Sequence, residues 1–304
     1  MKIIPFMKWR LFAAAFSLVA MIVAAGSLGT RSLNWGLDFT GGTLVEVTYG
    51  DSADLSQIRS TLENNGYAGA VVVAFGTDRD VLVRLPLGYS DDEGVAMVAL
   101  LESSSAVPVE LQRIEFVGPA VGEELREQGG LAMLLALGLV MLYVAFRFQF
   151  KFAVGAVVAL AHDVLFVLGY FSLLGMEFDL TVLAAILAVI GYSLNDTIVV
   201  ADRIRENFRK LRRMSPIDVI DVSLTETFGR TVVTSLTTLL VLVALAVVGG
   251  EMIHGFALAL LAGVAIGTYS SIYVSATILL ALGVNKEDVA VPTRELDNED
   301  GSQV

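Results

Sequence analysis

The chain has 304 residues, of which 55% are apolar and 17% are charged, and its mean hydropathy is +0.72. This composition excludes disordered, collagen-like and disulfide-stapled proteins and indicates a membrane protein. A formal charge of −12 argues against a nucleic-acid-binding protein, and the absence of cysteine excludes thiol catalysis, disulfides and zinc–thiolate sites.

Six apolar stretches are long enough, or nearly so, to cross the roughly 30 Å hydrocarbon layer as helices. They cover residues 11–28, 130–146, 152–176, 180–201, 231–250 and 253–283. Basic residues precede the first stretch, and small residues near its end resemble a signal-peptide cleavage site. Its length and the five spans that follow favour an uncleaved anchor. The last stretch is longer than the membrane requires, so we expect it to tilt or to project beyond the bilayer.

Basic residues predict the orientation of the spans. They lie before span one, between spans two and three, and after span four, which places all of them on one side. Both termini are therefore predicted to be cytoplasmic. Residues 1–10 form the N-terminal segment, residues 202–230 a basic loop and residues 284–304 an acidic tail. The basic loop is best explained as a topology signal, and contact with anionic lipid or a cytoplasmic partner is the alternative.

Residues 29–129, between spans one and two, are predicted to form a domain outside the cytoplasm. The pattern of apolar residues and turn residues indicates strands over 43–48, 70–75, 80–85 and 109–117 and helices over 53–65 and 90–105. The order βαββαβ is typical of a small ferredoxin-like α+β domain. The predicted fold class is thus a six-span helical membrane protein with a ferredoxin-like domain inserted between spans one and two; the family resemblance described below implies that this domain is periplasmic.

Two glycine-rich segments, residues 36–43 and 116–122, join this domain to its flanking helices. Neither contains a Walker lysine or a G-x-G-x-x-G order, so phosphate binding is not indicated. Their glycines permit tight turns, and we predict that the segments act as hinges. The hinge candidates are Gly36, Gly41, Gly42, Gly118, Pro119 and Gly122.

Asp196 is the most informative ionisable residue. A charge at the centre of a span costs ~2.5–3.5 kcal/mol and requires a reason. At 1.5 Å per residue, Asp196 lies roughly 24 Å below the outer face. Small residues on an adjoining helix face would let a neighbour pack closely; they are Ala184, Ala188, Gly191 and Asn195. Asp196 either holds two helices together or gains and loses a proton during transport, and we favour the second role.

Arg230, at the start of span five, is the predicted partner of Asp196. The alternative is that Arg230 snorkels to the interface and contributes only to topology. Hydroxyl residues follow Arg230 at helical spacing, which favours a hydrated groove. The predicted relay or groove-lining residues are Asn195, His162, Asp163, Thr234, Ser235 and Thr238.

His162 and Asp163 lie halfway through span three. They could relay protons, because imidazole titrates near neutrality, but a structural clasp is the favoured interpretation. With two histidines in the chain and no carboxylates at matching spacing, we predict no metal site.

Span six carries small residues at every fourth position: Gly255, Ala259, Gly263, Gly267, Ser271 and Ser275. Such a stripe lets two helix backbones approach closely. The pattern does not distinguish a docking surface for another helix from static packing within this chain.

Four segments in family order resemble the SecD/SecF family of bacterial Sec translocase subunits, and within it the SecF branch, in the RND superfamily. They are residues 36–43, residues 161–164 (AHDV), residues 191–207 (GYSLNDTIVVADRIREN) and residues 230–235 (RTVVTS). The resemblance covers residues 8–283.

This resemblance implies a subunit of the inner-membrane export machinery that acts with SecD and uses the proton-motive force. Asp196 and Arg230 match the family positions associated with proton movement, so protons are the coupling ion and no other cofactor is implied. The implied partners are SecD, the SecYEG translocon and the translocating preprotein, with YajC and YidC as further candidates.

The resemblance implies a transport protein rather than an enzyme. Three alternatives stay open: a scaffold for SecD without a proton role, half of an RND-type small-molecule exporter, and an intramembrane aspartyl protease. The protease is disfavoured because Asp196 follows Ser193-Leu194-Asn195 rather than a Gly-x-Gly sequence.

Overall fold

The structure, a computed structural model, describes residues 2–289. A short 3-10 helix, Phe6–Trp9, leads directly into helix α1 (Arg10–Arg31). Together they form the first of six segments in the described range that are long and apolar enough to cross a membrane. A two-residue strand, β1 (Asn34–Trp35), and a one-turn helix, α2 (Leu37–Thr40), follow and connect α1 to a sheet domain.

The sheet domain (residues 42–117) has the predicted βαββαβ order. Its elements are β2 (Gly42–Tyr49), α3 (Leu55–Asn64), β3 (Val71–Phe75), β4 (Thr77–Leu85), α4 (Asp91–Ser104) and β5 (Val109–Val117). The strand order is β3-β4-β2-β5, and each neighbouring pair is antiparallel. This is the split βαβ arrangement of ferredoxin-like domains, so the predicted fold is confirmed.

The core of this domain follows from the two-residue period of its strands. Side chains of β2 and β4 that share one face are completely buried: Val45, Val47, Val81 and Val83. They pack against the apolar sides of α3 and α4. Polar residues start both helices, since Asp54 accepts hydrogen bonds from two backbone N–H groups of α3, and Ser90 and Glu93 form a capping box on α4.

The remaining elements form a helical bundle. They are α5 (Pro119–Arg147), α6 (Phe150–Leu174), β6 (Glu177–Phe178), α7 (Leu180–Lys210), α8 (Pro216–Val248), α9 (Glu251–Ile272) and α10 (Val274–Ala281). In their most apolar windows, α6, α7 and the α9–α10 segment are 50–61% buried, whereas α1, α5 and α8 are 11–17% buried. The first three therefore form the centre of the bundle. The outer faces of α1, α5 and α8 are open to lipid or to another protein.

Strand β6 pairs in parallel with β1, through Asn34 with Glu177 and Trp35 with Phe178. This pairing brings the connection between α6 and α7 beside the sheet domain. We call this side of the bundle the domain end. The 3-10 helix Phe6–Trp9 lies at the opposite end, where the backbone N–H of Met7 donates to Asp221 of α8 at 2.8 Å.

The predicted basic loop over residues 202–230 is wrong. Helix α7 continues to Lys210 and α8 begins at Pro216, so only five residues, 211–215, connect them. Hydropathy marks the apolar part of a helix and not its polar ends. The polar end of α7 is stabilised by ion pairs that Glu206 makes with Arg203 and Lys210 at helical spacing.

Helix α5 also extends beyond its predicted span. It begins at Pro119, so residues 119–129, which were assigned to the outer domain, are helical. Proline suits the first helical position because an N–H group there would have no partner within the helix, and proline has no N–H group. The junction between the sheet domain and α5 is therefore Gly118, the N-cap residue.

The first residues of the predicted acidic tail pack against the bundle. Val284 is buried, and Asp288 forms an ion pair with Lys151 of α6 at 2.7 Å. The rest of the predicted tail, residues 290–304, lies outside the described residues.

Candidate functional site

Asp196 lies on the inner side of the central helix α7 and is 5% exposed. Its Oδ1 atom accepts a hydrogen bond from Thr231 Oγ of α8 at 3.1 Å. Its Oδ2 atom is buried and has no hydrogen-bond partner among the described residues. Buried polar atoms are normally paired, so this oxygen is a position where a proton, or a donor from another molecule, can bind.

Arg230 does not form the predicted direct ion pair with Asp196. No ion pair within 4.0 Å joins the two side chains in the described part of the chain. The residue of α8 that donates a hydrogen bond to Asp196 is Thr231. Consecutive helix residues point about 100° apart, so Arg230 turns away when Thr231 faces Asp196. Arg230 is exposed and lines a cavity of about 290 Å³, with Asp202 and Glu226 among its neighbours.

Asp163 of α6 is the centre of a buried cluster that joins three helices. Its Oδ2 atom accepts hydrogen bonds from Ser193 Oγ of α7 at 2.5 Å and from Ser270 Oγ of α9 at 2.7 Å. Its Oδ1 atom lies 3.0 Å from His162 Nδ1. Asp163 is completely buried, and each of its oxygens has a partner. This geometry is that of a clasp between helices.

Removing one donor from this cluster is expected to destabilise the bundle. Ser193→Ala removes one of the hydrogen bonds to the buried Asp163, which should lower the free energy of unfolding by ~1–3 kcal/mol. The thermal unfolding midpoint of the purified chain in detergent should fall. Ser103→Ala is the control, because Ser103 is exposed on α4 and bonds only to its own helix. Equal midpoints for the two variants would show that the cluster does not hold the helices together.

Of the hydroxyl residues predicted to line a groove on α8, only Ser235 contacts another helix. Its Oγ atom lies 2.7 Å from Thr268 Oγ1 of α9 and accepts a hydrogen bond from Tyr192 OH of α7 at 3.4 Å. The hydroxyls of Thr234 and Thr238 donate to carbonyl oxygens of α8 itself. Asn195 is exposed on α7. Ser235 therefore joins α8 to both α7 and α9, and the lining of a groove by the other residues stays a prediction.

The small-residue stripe packs inside the chain, which is one of the two explanations left open by the sequence. Gly255, Gly263, Gly267 and Ser271 meet, in that order, the α7 residues Val182, Val189, Ser193 and Thr197. Ala259 is completely buried, and Ser275 lies against Gly155 of α6. The stripe thus allows α9 to approach α7, and α10 to approach α6, at short distance.

The first glycine-rich segment holds the sheet domain against the domain end of α7. Asp38 of α2 accepts a hydrogen bond from the backbone N–H of Leu180, the first residue of α7, at 2.9 Å. Asp179 accepts another from the N–H of Val182 at 2.8 Å. Both carboxylates satisfy N–H groups that lack partners within the helix, and negative charge there is favourable. Burial raises the pKa of Asp38, and the hydrogen bond from Leu180 acts in the opposite direction.

Four of the hinge candidates lie at close backbone contacts. A Cβ atom on Gly122 would lie 2.9 Å from the backbone nitrogen of Gly41, and one on Gly36 would lie 2.9 Å from Glu177 Oε1. Gly41 and Gly42 have positive φ angles of 71° and 133°. Gly118 and Pro119 are the N-cap and the first residue of α5. The segments bring the backbones together tightly, and their action as hinges stays a prediction.

Neither histidine is placed to bind a metal. His162 contacts Asp163 of its own helix, and His254 Nδ1 lies 3.0 Å from the carbonyl oxygen of Ala246. Across residues 2–289, no group of three or more His, Asp or Glu residues could hold a metal ion.

Sequence reasoning assigned no role to Ser193 or Ser270, and it placed Thr231 only among the hydroxyl residues that follow Arg230. Ser193 stands one helical turn before Asp196 but donates to Asp163 of α6, so its spacing along α7 does not identify its partner. Ser270 offers no signal either, because its partner Asp163 is distant in sequence and only the packing of α9 on α6 brings them together.

Two families match the chain. "Protein export membrane protein SecD/SecF, C-terminal" matches residues 97–285, and "SecD/SecF GG Motif" matches residues 26–53. Two relatives named protein translocase subunit SecF are similar over nearly the whole length. The one from Vibrio alginolyticus is 51% identical, with 97% of this chain and 94% of the relative covered. The one from Pseudomonas aeruginosa is 50% identical, with 95% and 94% covered.

A solved structure shows the same arrangement of helices and sheet domain. The crystal structure of SecDF, a translocon-associated membrane protein from Thermus thermophilus, superposes with a TM-score of 0.84 at 41% identity. The match covers 92% of this chain and 39% of the SecDF chain, so this chain spans about two fifths of that protein.

Proposed function

We propose that this chain, which belongs to the SecF family of protein translocase subunits, acts with a SecD partner and couples proton entry to protein export across the bacterial inner membrane. The observation that carries the proton role is Asp196. It is a carboxylate buried among membrane-crossing helices, with one oxygen that has no partner in the described chain. Intramembrane ionisable residues of this kind mark ion pathways.

A proton arriving from the periplasmic side binds Asp196 Oδ2 and neutralises the carboxylate at the contact between α7 and α8. Arg230 directly precedes Thr231, which contacts Asp196. The charge on Asp196 therefore acts on the Arg230 guanidinium at short range. The cavity that Arg230 shares with Asp202, Glu206 and Glu226 then offers charged groups for release of the proton at the opposite end. Moving one charge across 100 mV supplies ~2.3 kcal/mol, which biases a two-state arrangement of the helices about 50-fold.

The sheet domain responds because it is attached to the domain end of α7. The attachment consists of the hydrogen bond from Leu180 N–H to Asp38, the pairing of β1 with β6, and an ion pair between Arg84 of β4 and Glu177 of β6. Packed helices move as rigid bodies, so a shift of α7 displaces these contacts together. Repeated displacement of the domain in the periplasm would hinder backward sliding of a translocating preprotein.

A face of α7 is available for SecD. The residues Ala184, Ala188, Gly191 and Asn195 follow each other at helical spacing and are exposed in this chain. Their helix is otherwise central to the bundle, and Asp196 lies next to this face. Small side chains allow a second membrane protein to approach closely. We place the SecD contact here, and we expect the complex to engage the SecYEG translocon, with YajC and YidC as further candidates.

Enlarging this face is expected to break the complex. Ala188→Trp places an indole where a helix backbone must approach, so SecD should be lost when the chain is purified in mild detergent, by about tenfold or more. Ala15→Trp makes the same change at an exposed position on α1 and should retain SecD. Retention of SecD by both variants would place the contact elsewhere.

The proton role itself is tested by Asp196→Asn. If export still responds to the proton gradient at normal expression, the chain acts as a scaffold for SecD and has no proton role of its own.

A further inference from the structure

A second cavity, of about 370 Å³, lies between α1, α6 and the α9–α10 segment. Its walls are almost entirely apolar. Leu18 of α1 and Leu165 of α6 belong to the walls and are 63% and 45% exposed on the outside of the bundle. The cavity therefore opens between helices toward the hydrocarbon of the membrane. Its volume is within the range of small-molecule sites.

Two hydroxyl groups in the walls already have partners. Tyr269 OH donates to the carbonyl oxygen of Ala13 at 2.7 Å and lies 2.9 Å from Ser17 Oγ. Two polar atoms lack any hydrogen-bond partner among the described residues: His162 Nε2 and Thr277 Oγ1. His162 is only 6% exposed. A buried ring nitrogen without a partner at the wall of a cavity is an unfilled hydrogen-bonding position.

The hydrogen bonds around Asp163 leave Nε2 as the ring atom of His162 that lacks a partner. Asp163 accepts from Ser193 and Ser270 at one oxygen, and its other oxygen lies 3.0 Å from His162 Nδ1. A hydroxyl group can both donate and accept a hydrogen bond, so it can pair with Nε2 in either tautomer of the ring.

We propose that this cavity binds an uncharged, lipid-soluble alcohol or phenol whose hydroxyl forms a hydrogen bond with His162 Nε2. The apolar walls take up its hydrocarbon part. Water alone fits poorly, because the accessible walls are almost entirely apolar and such cavities stay dry. A charged headgroup fits poorly as well, since none of the lining side chains is Lys or Arg.

The test uses photolabelling of the purified chain in lipid nanodiscs. The probe is azi-octanol, an aliphatic alcohol that carries a diazirine, and labelled peptides are identified by mass spectrometry. We expect saturable labelling of α1, α6 and α10 around the cavity. para-Butylphenol should compete about tenfold more effectively than butylbenzene, which has the same hydrocarbon body without the hydroxyl. Unsaturable labelling spread over all exposed helix faces would overturn the proposal.

Two variants separate the hydroxyl contact from the apolar walls. His162→Asn keeps an N–H group for Asp163 and lacks Nε2, so it should abolish the preference for the phenol and leave competition by butylbenzene unchanged. Ala14→Leu fills the cavity and should remove saturable labelling, whereas Ala15→Leu, on the next residue of α1 and outside the cavity lining, should retain it. If the preference for the phenol survives in His162→Asn, His162 does not form the hydrogen bond to the hydroxyl and the proposal fails.

Discussion

Replacing Asp196 with asparagine is expected to abolish the part of protein export that depends on the proton gradient. Asparagine has nearly the same shape and can still accept the hydrogen bond from Thr231, so the packing of α7 on α8 is retained. It cannot gain or lose a proton in the membrane. The membrane potential supplies ~2.3 kcal/mol per charge at 100 mV, but no group at this contact then changes its charge, so this energy cannot be used there.

Export of a secretory preprotein should be measured in cells that lack their own copy of the subunit and that produce SecD with the variant at normal levels. Each strain is compared with and without an uncoupler that collapses the gradient. We expect Asp196→Asn to export at the rate of uncoupled cells under both conditions. Asp92→Asn, the same change at an exposed position on α4, should behave as the unsubstituted chain does. A gradient response of normal size in Asp196→Asn would rule out this carboxylate as the coupling group.

Replacing Gly42 with alanine is expected to destabilise the sheet domain. Gly42 has a φ angle of 133°, which residues with a Cβ atom adopt at a cost of ~1–3 kcal/mol. A Cβ atom there would also lie 2.5 Å from the carbonyl oxygen of Leu85, a backbone atom that cannot move without displacing β4. Both effects act at the start of β2, where the chain enters the domain from α2.

Gly88→Ala separates these two effects. Gly88 has a similar φ angle of 109°, but a Cβ atom there would meet no other atom within 4 Å. Both variants carry the backbone strain, and only Gly42→Ala carries the collision. The thermal unfolding midpoint should therefore fall further in Gly42→Ala, by roughly 5 °C relative to Gly88→Ala. Equal midpoints would mean that the approach of Gly42 to β4 is not a tight contact.

The cluster around Asp163 and the attachment at Asp38 lie at different depths of α7, and together they connect this helix to its neighbours at two points. Ser193 ties the middle of α7 to α6, while Leu180 ties its domain end to α2. Close packing against the stripe on α9 leaves little free volume between these points. If Asp196 couples protons as proposed, we expect α7 to transmit the change as a rigid element.

The sequence alone was sufficient to predict the six membrane-crossing helices and the ferredoxin-like sheet domain. Hydropathy and periodicity report whether a residue faces lipid, core or water, and these preferences are local properties of each segment. Asp196 could be singled out for the same reason, because a carboxylate in an apolar stretch is exceptional wherever it points.

Tertiary structure alone decided which side chains meet. Thr231 and not Arg230 contacts Asp196, because the rotation of α8 about its axis depends on its packing against α7 and α9. Asp163 gains Ser270 from a helix more than a hundred positions away, and the stripe on α9 finds its partner on α7 within the chain. The polar ends of α7 and α8 are helical because ion pairs and caps stabilise them, and hydropathy does not measure those interactions. Contacts between helices depend on how each helix is rotated about its axis and on how deep each residue lies in the bundle. The sequence of one segment specifies neither.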